Sequence, residues 1–296
     1  MGRVQGLQGR TAVVTGAARG IGAALAWELA VRGMRVALLG LEGEGLREVA
    51  RGLSAETYCV EVDVTDETAM ERAAASVGEE LGAPSVVVAN AGVAEGGPFA
   101  ACDPATWRRV IDVNLCGSAT TARVFLPALL GNRGYYLQIA STAAFGSVPM
   151  MSAYCASKAG VESFAQSLRS ELEPQGTKVG IAYVHWTDTG MIRDADQHTV
   201  LRELRAHMPP GARRTYPVES IASWIARGVD RRLATVYAPP WLRWVQPLRP
   251  LFPSAVTAVS RHVLPRMADR GPVSPTGLLG PGGRAAGSVQ RAPERD

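Results

Sequence analysis

Up to about residue 185, short apolar runs alternate with stretches whose apolar positions recur every three or four residues. Thr11–Thr15, Val36–Leu39, Tyr58–Val62, Val86–Ala89, Tyr136–Ala140 and Lys178–Val184 are short and rich in β-branched or aromatic residues. Such runs suit strands buried on both faces. Ile21–Arg32, Thr68–Leu81, Thr106–Leu130 and Ala153–Leu172 carry helical spacing instead. Strands alternating with helices predict right-handed crossovers, hence an α/β fold with a doubly wound parallel sheet and helices on both faces.

After Thr189 the pattern changes. Gly190–Tyr216 is charged and helix-prone and contains the Pro209-Pro210-Gly211 breaker. Pro217–Val229 reads as a helix and Leu233–Ala238 as a last strand. Three regions are therefore expected. Residues 1–238 form one domain, residues 239–270 are an extension rich in proline, tryptophan and arginine, and residues 271–296 are a disordered tail by composition.

Composition narrows the classes. With 47% apolar and 20% charged residues over 296 positions, the chain can bury a sizeable core, which excludes global disorder and fibrous architectures. Its 31 basic and 27 acidic residues are too balanced for a dedicated nucleic-acid binder. The lysines are Lys158 and Lys178, and every other basic side chain but histidine is arginine. Cys59, Cys102, Cys116 and Cys155 form no Cys-x-x-Cys pair and have no histidine at zinc-like spacing. Free thiols and no metal site are expected. Met1–Arg10 has no apolar stretch resembling a secretory signal, and no apolar run is long enough to span a bilayer, so a cytoplasmic location is expected.

Thr15-Gly16-Ala17-Ala18-Arg19-Gly20-Ile21-Gly22 follows the first strand and opens the first helix. Glycines there allow a tight turn and let backbone amides approach a pyrophosphate at the positive helix end. Other marks follow in order: Asp63-Val64, Asn90-Ala91-Gly92, Asn114, Ser141 and Tyr154-x-x-x-Lys158. In this order and spacing, over roughly residues 7–238, the chain resembles the short-chain dehydrogenase/reductase family.

The resemblance implies a Rossmann fold and an oxidoreductase that moves a hydride between NADP(H) or NAD(H) and an alcohol or ketone. It implies cofactor contacts from Thr15, Gly16, Arg19, Gly20, Ile21, Gly22, Asp63, Val64, Asn90, Ala91, Gly92, Tyr154, Lys158 and Thr189. Asp63 would meet the adenine amino group or cap the next helix. Family members read the cofactor at the end of the second strand, where an acidic residue selects NAD and a basic one NADP. Here Gly40-Leu41 stands there, with Glu42 beyond. Glycine leaves room for a 2′-phosphate and Arg19 can pair with it, which favours NADP(H); Glu42 turned inward would restore NAD(H).

The resemblance implies Tyr154 as the acid/base, Ser141 as a donor to the substrate oxygen, and Asn114 as the holder of a water in a proton relay. A free tyrosine titrates near pH 10, so a base at neutrality needs a drop of roughly 3 units, about 4 kcal/mol. Lys158, one turn on, shares its helix face and supplies positive charge. A catalytically silent nucleotide sensor on the same fold is the alternative. The family's Pro-Gly before Thr189 is replaced by Val184-His185-Trp186, and His185 either reaches the ligand or packs.

Met191, Ile192, Leu201, Leu204 and Met208 are expected to form an apolar lid, and Phe145, Val148, Met150 and Met151 to border the same pocket, so a lipophilic small-molecule substrate is expected. For the extension, two readings stand: it folds over the pocket or the partner subunit, or it lies at a membrane surface through Trp241, Trp244, Leu248, Leu251 and Phe252 among its arginines. The resemblance implies a homodimer through the helices predicted at Thr106–Leu130 and Ala153–Leu172.

Overall fold

The computed structural model describes residues 6–268 and 273–291. Seven strands, β1 (Thr11–Thr15), β2 (Arg35–Gly40), β3 (Thr57–Glu61), β4 (Val86–Ala89), β5 (Tyr135–Ser141), β6 (Lys178–Val184) and β7 (Thr235–Ala238), form one sheet in the order β3-β2-β1-β4-β5-β6-β7. All pairings are parallel. Every residue of β1 and β4 is buried, which is why these strands read as unbroken apolar runs rather than alternating ones.

The helices are α1 (Gly20–Val31), α2 (Gly43–Arg51), α3 (Glu67–Leu81), α4 (Pro104–Ile111), α5 (Gly117–Gly131), α6 (Ser152–Leu172), α7 (Gly190–Gln197), α8 (Thr199–Ala206), α9 (Val218–Asp230), α10 (Leu242–Val245), α11 (Phe252–Ala268) and α12 (Gly280–Arg291). Met70, Phe125 and Val161 of α3, α5 and α6 pack on one face of the sheet with Val13 and Val87. Leu25 and Ile225 of α1 and α9 cover the other with Val14 and Val88. Caps place the starts: Asp66 accepts from the Ala69 amide (2.8 Å) before α3, and Asp103 from that of Thr106 (2.9 Å) before α4, with Pro104 at the first helical position. Asp66, not Asp63, therefore caps α3.

Two expectations change. The helix read over Thr106–Leu130 is α4 and α5 joined by one wider π-turn, Asp112–Cys116. Ser118 Oγ donates to the Asn114 carbonyl (2.7 Å) and Thr121 Oγ1 to that of Gly117 (2.7 Å) where the turn ends. The tail read as disordered is ordered over 273–291; its remaining residues, 271–272 and 292–296, lie outside the described residues. Its glycines and prolines serve a close-packed segment: Leu279 and Ala286 are each 1% exposed, and Ala286 belongs to the same core as Val13.

The extension packs on the loop after β5, with Arg249 over the Phe145 ring (5.9 Å to its centre) and Phe252 against Gly146. Leu242 is buried and Trp241 and Phe252 half-buried against the α5–α6 side, while Arg249 pairs with Glu162 of α6 and donates to the Ala144 carbonyl (3.2 Å). Trp244, by contrast, stands 71% exposed.

Candidate active site

Strand order reverses between β1 and β4, and ligands of open α/β sheets bind at such a switch point, outside the carboxyl ends of the strands. Here these ends are knitted together. Asn90 Nδ2 donates to the Thr15 (2.9 Å) and Gly16 (3.2 Å) carbonyls, and Thr15 Oγ1 accepts from the amides of Asn90 (3.0 Å) and Ala91 (3.1 Å).

The glycine turn is shaped by close approach. At Gly16 (φ +64°) a Cβ would stand 2.8 Å from the Ala91 Cα, and at Gly22 one would stand 2.2 Å from the Gly16 carbonyl oxygen. The first turn of α1 carries neither an acidic residue nor a side-chain cap, so its amides stay free for an anion. Gly20 faces Thr189, whose Cγ2 would be 3.4 Å from a Cβ there, which brings the loop after β6 over the turn. Ile21 is half-buried in the core below. This open, anion-seeking cradle fits the pyrophosphate of a dinucleotide.

At the adenosine side, Gly40 ends β2 without a charge, and Arg19 forms an ion pair with Glu42. The pair holds Glu42 at the glycine turn, on the side where the cofactor is read. Asp63 is tied to Arg109 and accepts from the Thr65 amide (2.9 Å) and hydroxyl (2.8 Å). Burial opposes its charge, but these bonds outweigh it and hold the carboxyl below the usual range. Val64 is buried against Gly117 at the start of α5.

Ser141, Tyr154, Lys158 and Asn114 converge beside Asn90-Ala91-Gly92. Ser141 ends β5, accepts from the Ala143 amide (3.1 Å) and hydrogen-bonds the Tyr154 hydroxyl. Lys158 Nζ lies 5.7 Å from the centre of the Tyr154 ring and donates to the Ile139 carbonyl (3.2 Å). A Cβ at Gly92 would stand 3.2 Å from Asn114 Oδ1 and 3.6 Å from Lys158 Nζ, so both flank that glycine. The π-turn aims Asn114 inward, where it accepts from the Val93 amide (2.8 Å) and donates to Ser157 Oγ (2.9 Å).

Burial pushes the Tyr154 phenol up to about 12, against the hydrogen bond with Ser141 and with the charges of Cys155 and Glu95 adding to the rise. Burial alone lowers the Lys158 ammonium to about 8. Tyr154 is thus a protonated phenol at neutrality, a proton donor as it stands.

The family model described as short chain dehydrogenase matches residues 10–199. The chain belongs to this family. It is 34% identical over 234 residues to 1-deoxy-11-beta-hydroxypentalenate dehydrogenase of Streptomyces exfoliatus, covering 76% of this chain and 82% of that protein. It is 27% identical over 267 residues to estradiol 17-beta-dehydrogenase 11 of Macaca fascicularis, covering 88% and 85% respectively. Among solved structures, a metagenomic short-chain oxidoreductase in complex with NADP matches at TM-score 0.58 and 36% identity, covering 61% of this chain and 84% of that one. A short chain dehydrogenase/reductase from Burkholderia phymatum in complex with NAD matches at TM-score 0.71 and 27% identity, covering 82% and 94%. This short-chain dehydrogenase is a nicotinamide-dependent oxidoreductase of CH–OH and C=O groups.

The pocket differs from the expected one. Val148, Met150, Met151, Met191 and Leu201 do gather around Tyr154, with Ala94, Ala195, Cys155 and Leu279. Phe145 is not in this cluster: its ring meets that of Tyr183 at a tilt (4.8 Å between centres) in the main core, against which Tyr154 also packs. Ile192, Leu204 and Met208 lie outside the cluster too. His185 packs: Nε2 bonds the Ala212 carbonyl (2.7 Å), Nδ1 the Thr142 hydroxyl (3.2 Å), and burial lowers its pKa to about 4.

Two residues at this site escaped the sequence reading. Arg109 neutralises Asp63, and Glu95, 3% exposed, accepts from the Ala153 amide (3.0 Å) at the start of α6. Neither has a signal in the sequence, since a lone charged residue on a loop or helix reads as solvated until the fold buries it.

Proposed function

We propose that this dehydrogenase interconverts lipophilic ketones and alcohols with Tyr154 as acid/base, and that it prefers NADP(H). The observation that carries the reading is the meeting of Ser141, Tyr154 and Lys158 beside the glycine cradle. Thr15, Gly16, Gly20, Ile21, Gly22, Asn90 and Thr189 would hold the pyrophosphate and nicotinamide side of the cofactor, and Asp63 and Val64 the adenine side. When bound, the cofactor supplies or takes the hydride, and its oxidised form adds a positive charge to the site.

This chain's own residues handle the proton. In reduction the Tyr154 hydroxyl donates to the oxygen that gains charge, while Ser141 donates a hydrogen bond to that oxygen. Lys158 stabilises the resulting phenolate and, through a water held near Asn114, refills it; both flank Gly92. Arg19, freed from Glu42, is the partner for a 2′-phosphate, since Gly40 places no carboxylate to repel it. The apolar cluster around Tyr154 supports the lipophilic class, and two relatives are named for estradiol and for 1-deoxy-11-beta-hydroxypentalenate. The silent-sensor alternative has no use for the convergence of all these groups.

Two surfaces support the readings of assembly and location. Leu115, Phe164 and Leu168 of the α5–α6 side are half-buried in the single chain, which supports a homodimer through these helices. Trp244, Leu248 and Leu251 are exposed on a segment holding arginines and no acidic residue, with Arg243 stacked 4.9 Å from the Trp244 ring centre. That face suits an anionic membrane surface and supports the reading of a cytoplasmic enzyme that rests on lipid.

The test is absorbance of NADPH during incubation with a panel of lipophilic ketones. Turnover is expected, and Tyr154→Phe, which keeps the ring and deletes the proton, should abolish it while cofactor affinity stays nearly intact. Near-normal turnover in that variant would refute the mechanism.

A further inference from the structure

The segment 273–291 touches the site at several points that the resemblance does not account for. Its backbone forms an antiparallel bridge between Leu278 and Glu95. The Thr276 amide donates to the Gly96 carbonyl (2.8 Å), the Gly96 amide to Thr276 Oγ1 (2.9 Å) and the Leu279 amide to the Ala94 carbonyl (2.8 Å). On its other side, the Gly280 amide donates to Asp194 Oδ2 (2.7 Å) on α7, and Arg284 lies 3.5 Å from the same oxygen. The segment thus straps the loop after β4 to the lid helix.

The fit leaves no room for side chains at the crossing points. A Cβ at Gly97 (φ +134°) would stand 2.7 Å from the Pro275 Cα, and one at Gly280 (φ +74°) would stand 2.8 Å from the Met191 Cα. Between these points Leu279, 1% exposed, enters the apolar cluster that holds Tyr154, Met151, Met191 and Leu201. Leu201 also lines a cavity of about 190 Å³ at the outer edge of the strap, together with His198, Ser274 and Thr276. Ligand pockets for drug-sized molecules run to roughly 300 Å³ or more, so that cavity holds only part of such a molecule. Leu279 and Tyr154 share the apolar cluster, so the size of the Leu279 side chain bears on the space beside Tyr154.

We propose that residues 273–291 form a wall of the substrate pocket, with Leu279 as the side chain that sets how large a lipophilic ketone or alcohol reaches Tyr154. This rests on the reading of Tyr154 as the residue that meets the reacting oxygen. Glu95 joins the wall to the catalytic helix and is a positioning residue. Its backbone pairs with the strap, while its carboxylate accepts from the amides of Ala153 and Tyr154 in the first turn of α6. Its second oxygen has no hydrogen-bond partner among the described residues. A strap that moves therefore moves the support of Tyr154.

Two measurements on the full chain test this. The first is kcat/KM with NADPH for a graded series of ketones, from cyclohexanone to fused polycyclic ketones. Leu279→Ala is expected to raise the bulky-to-small ratio about tenfold and Leu279→Trp to lower it by a similar factor, the usual effect of pocket volume on discrimination. The KM for NADPH should stay within about twofold in both, since Leu279 touches no part of the cofactor cradle. Unchanged ratios in both variants would overturn the role of Leu279.

The second is hydrogen exchange, which needs no turnover. In the unaltered chain the Thr276 and Leu279 amides should be protected, and Gly280→Val should speed exchange over 273–291, 94–97 and the first turn of α6 while β4 and β5 stay protected. Fast exchange at Thr276 and Leu279 in the unaltered chain would sink the wall itself. So would protected α6 amides in a Gly280→Val chain whose strap has opened, as far as the link through Glu95 is concerned. If no ketone or alcohol is turned over with either cofactor, the enzymatic reading fails, and exchange still decides whether the strap is closed.

Discussion

Glu42→Gln is expected to raise the preference for NADPH over NADH by about tenfold. The Arg19–Glu42 ion pair has side chains 39% and 26% exposed, and pairs of that kind are worth about 0.2–1 kcal/mol. A 2′-phosphate that recruits Arg19 must first break it. Glu42 also repels the phosphate directly. Charges roughly 5–8 Å apart in water-like surroundings interact by about 0.5–0.8 kcal/mol per unit charge, and a phosphate carries nearly two. Salt reduces that repulsion at such distances. Together the substitution frees about 1–2 kcal/mol for NADPH, or roughly 5- to 30-fold. NADH presents only hydroxyls there and should change by less than about twofold. The assay is kcat/KM for each cofactor at a fixed ketone concentration, at low and at high salt. The gain should fall as salt rises, and Arg19→Ala should move the ratio the other way. Equal gains with both cofactors, or a shift towards NADH, would refute the assignment of Arg19 to the phosphate.

Lys158→Ala should lose turnover and weaken cofactor binding together, measured as separate changes in kcat and in NADPH fluorescence titration, because one side chain serves both. For His185, the unfolded chain takes up a proton near pH 6.5, but the folded chain does so only near pH 4. Protons then favour the unfolded state, so stability should fall as pH drops through that window, by up to roughly 3 kcal/mol; urea denaturation against pH should show the slope, and His185→Gln should remove it. A Trp244→Ala/Leu251→Ala chain should lose salt-sensitive sedimentation with anionic liposomes while turnover in solution stays the same; sedimentation equal to the unaltered chain would refute the membrane face. Light scattering should give a dimer mass, and a tetramer would count against the α5–α6 interface.

Local periodicity carried much of the sheet. Strands such as Val86–Ala89 are buried on both faces, so their composition states their place without any partner in view. The glycine turn and Tyr154-x-x-x-Lys158 were equally legible, because a phosphate cradle and a one-turn helix spacing are local geometry. Helix α2, Gly43–Arg51, was missed, since its glycines and charges leave only Leu46 fully buried besides Gly43 to mark a face.

What the tertiary structure decided depends on residues far apart in the chain. Phe145 and Met151 are both apolar residues of one loop, and only packing puts the first in the main core against Tyr183 and the second in the smaller cluster with Leu201 and Leu279. Glu95 becomes a helix support only because the fold buries it against the start of α6. The segment 273–291 is the sharpest case. Glycine and proline lower apolar content and read as disorder, yet here they let backbone lie on backbone at Gly97 and Met191. Burial of one leucine and bonds to Ala94, Gly96 and Asp194 then offset the entropy of ordering, and every one of those partners is more than eighty residues away in the chain.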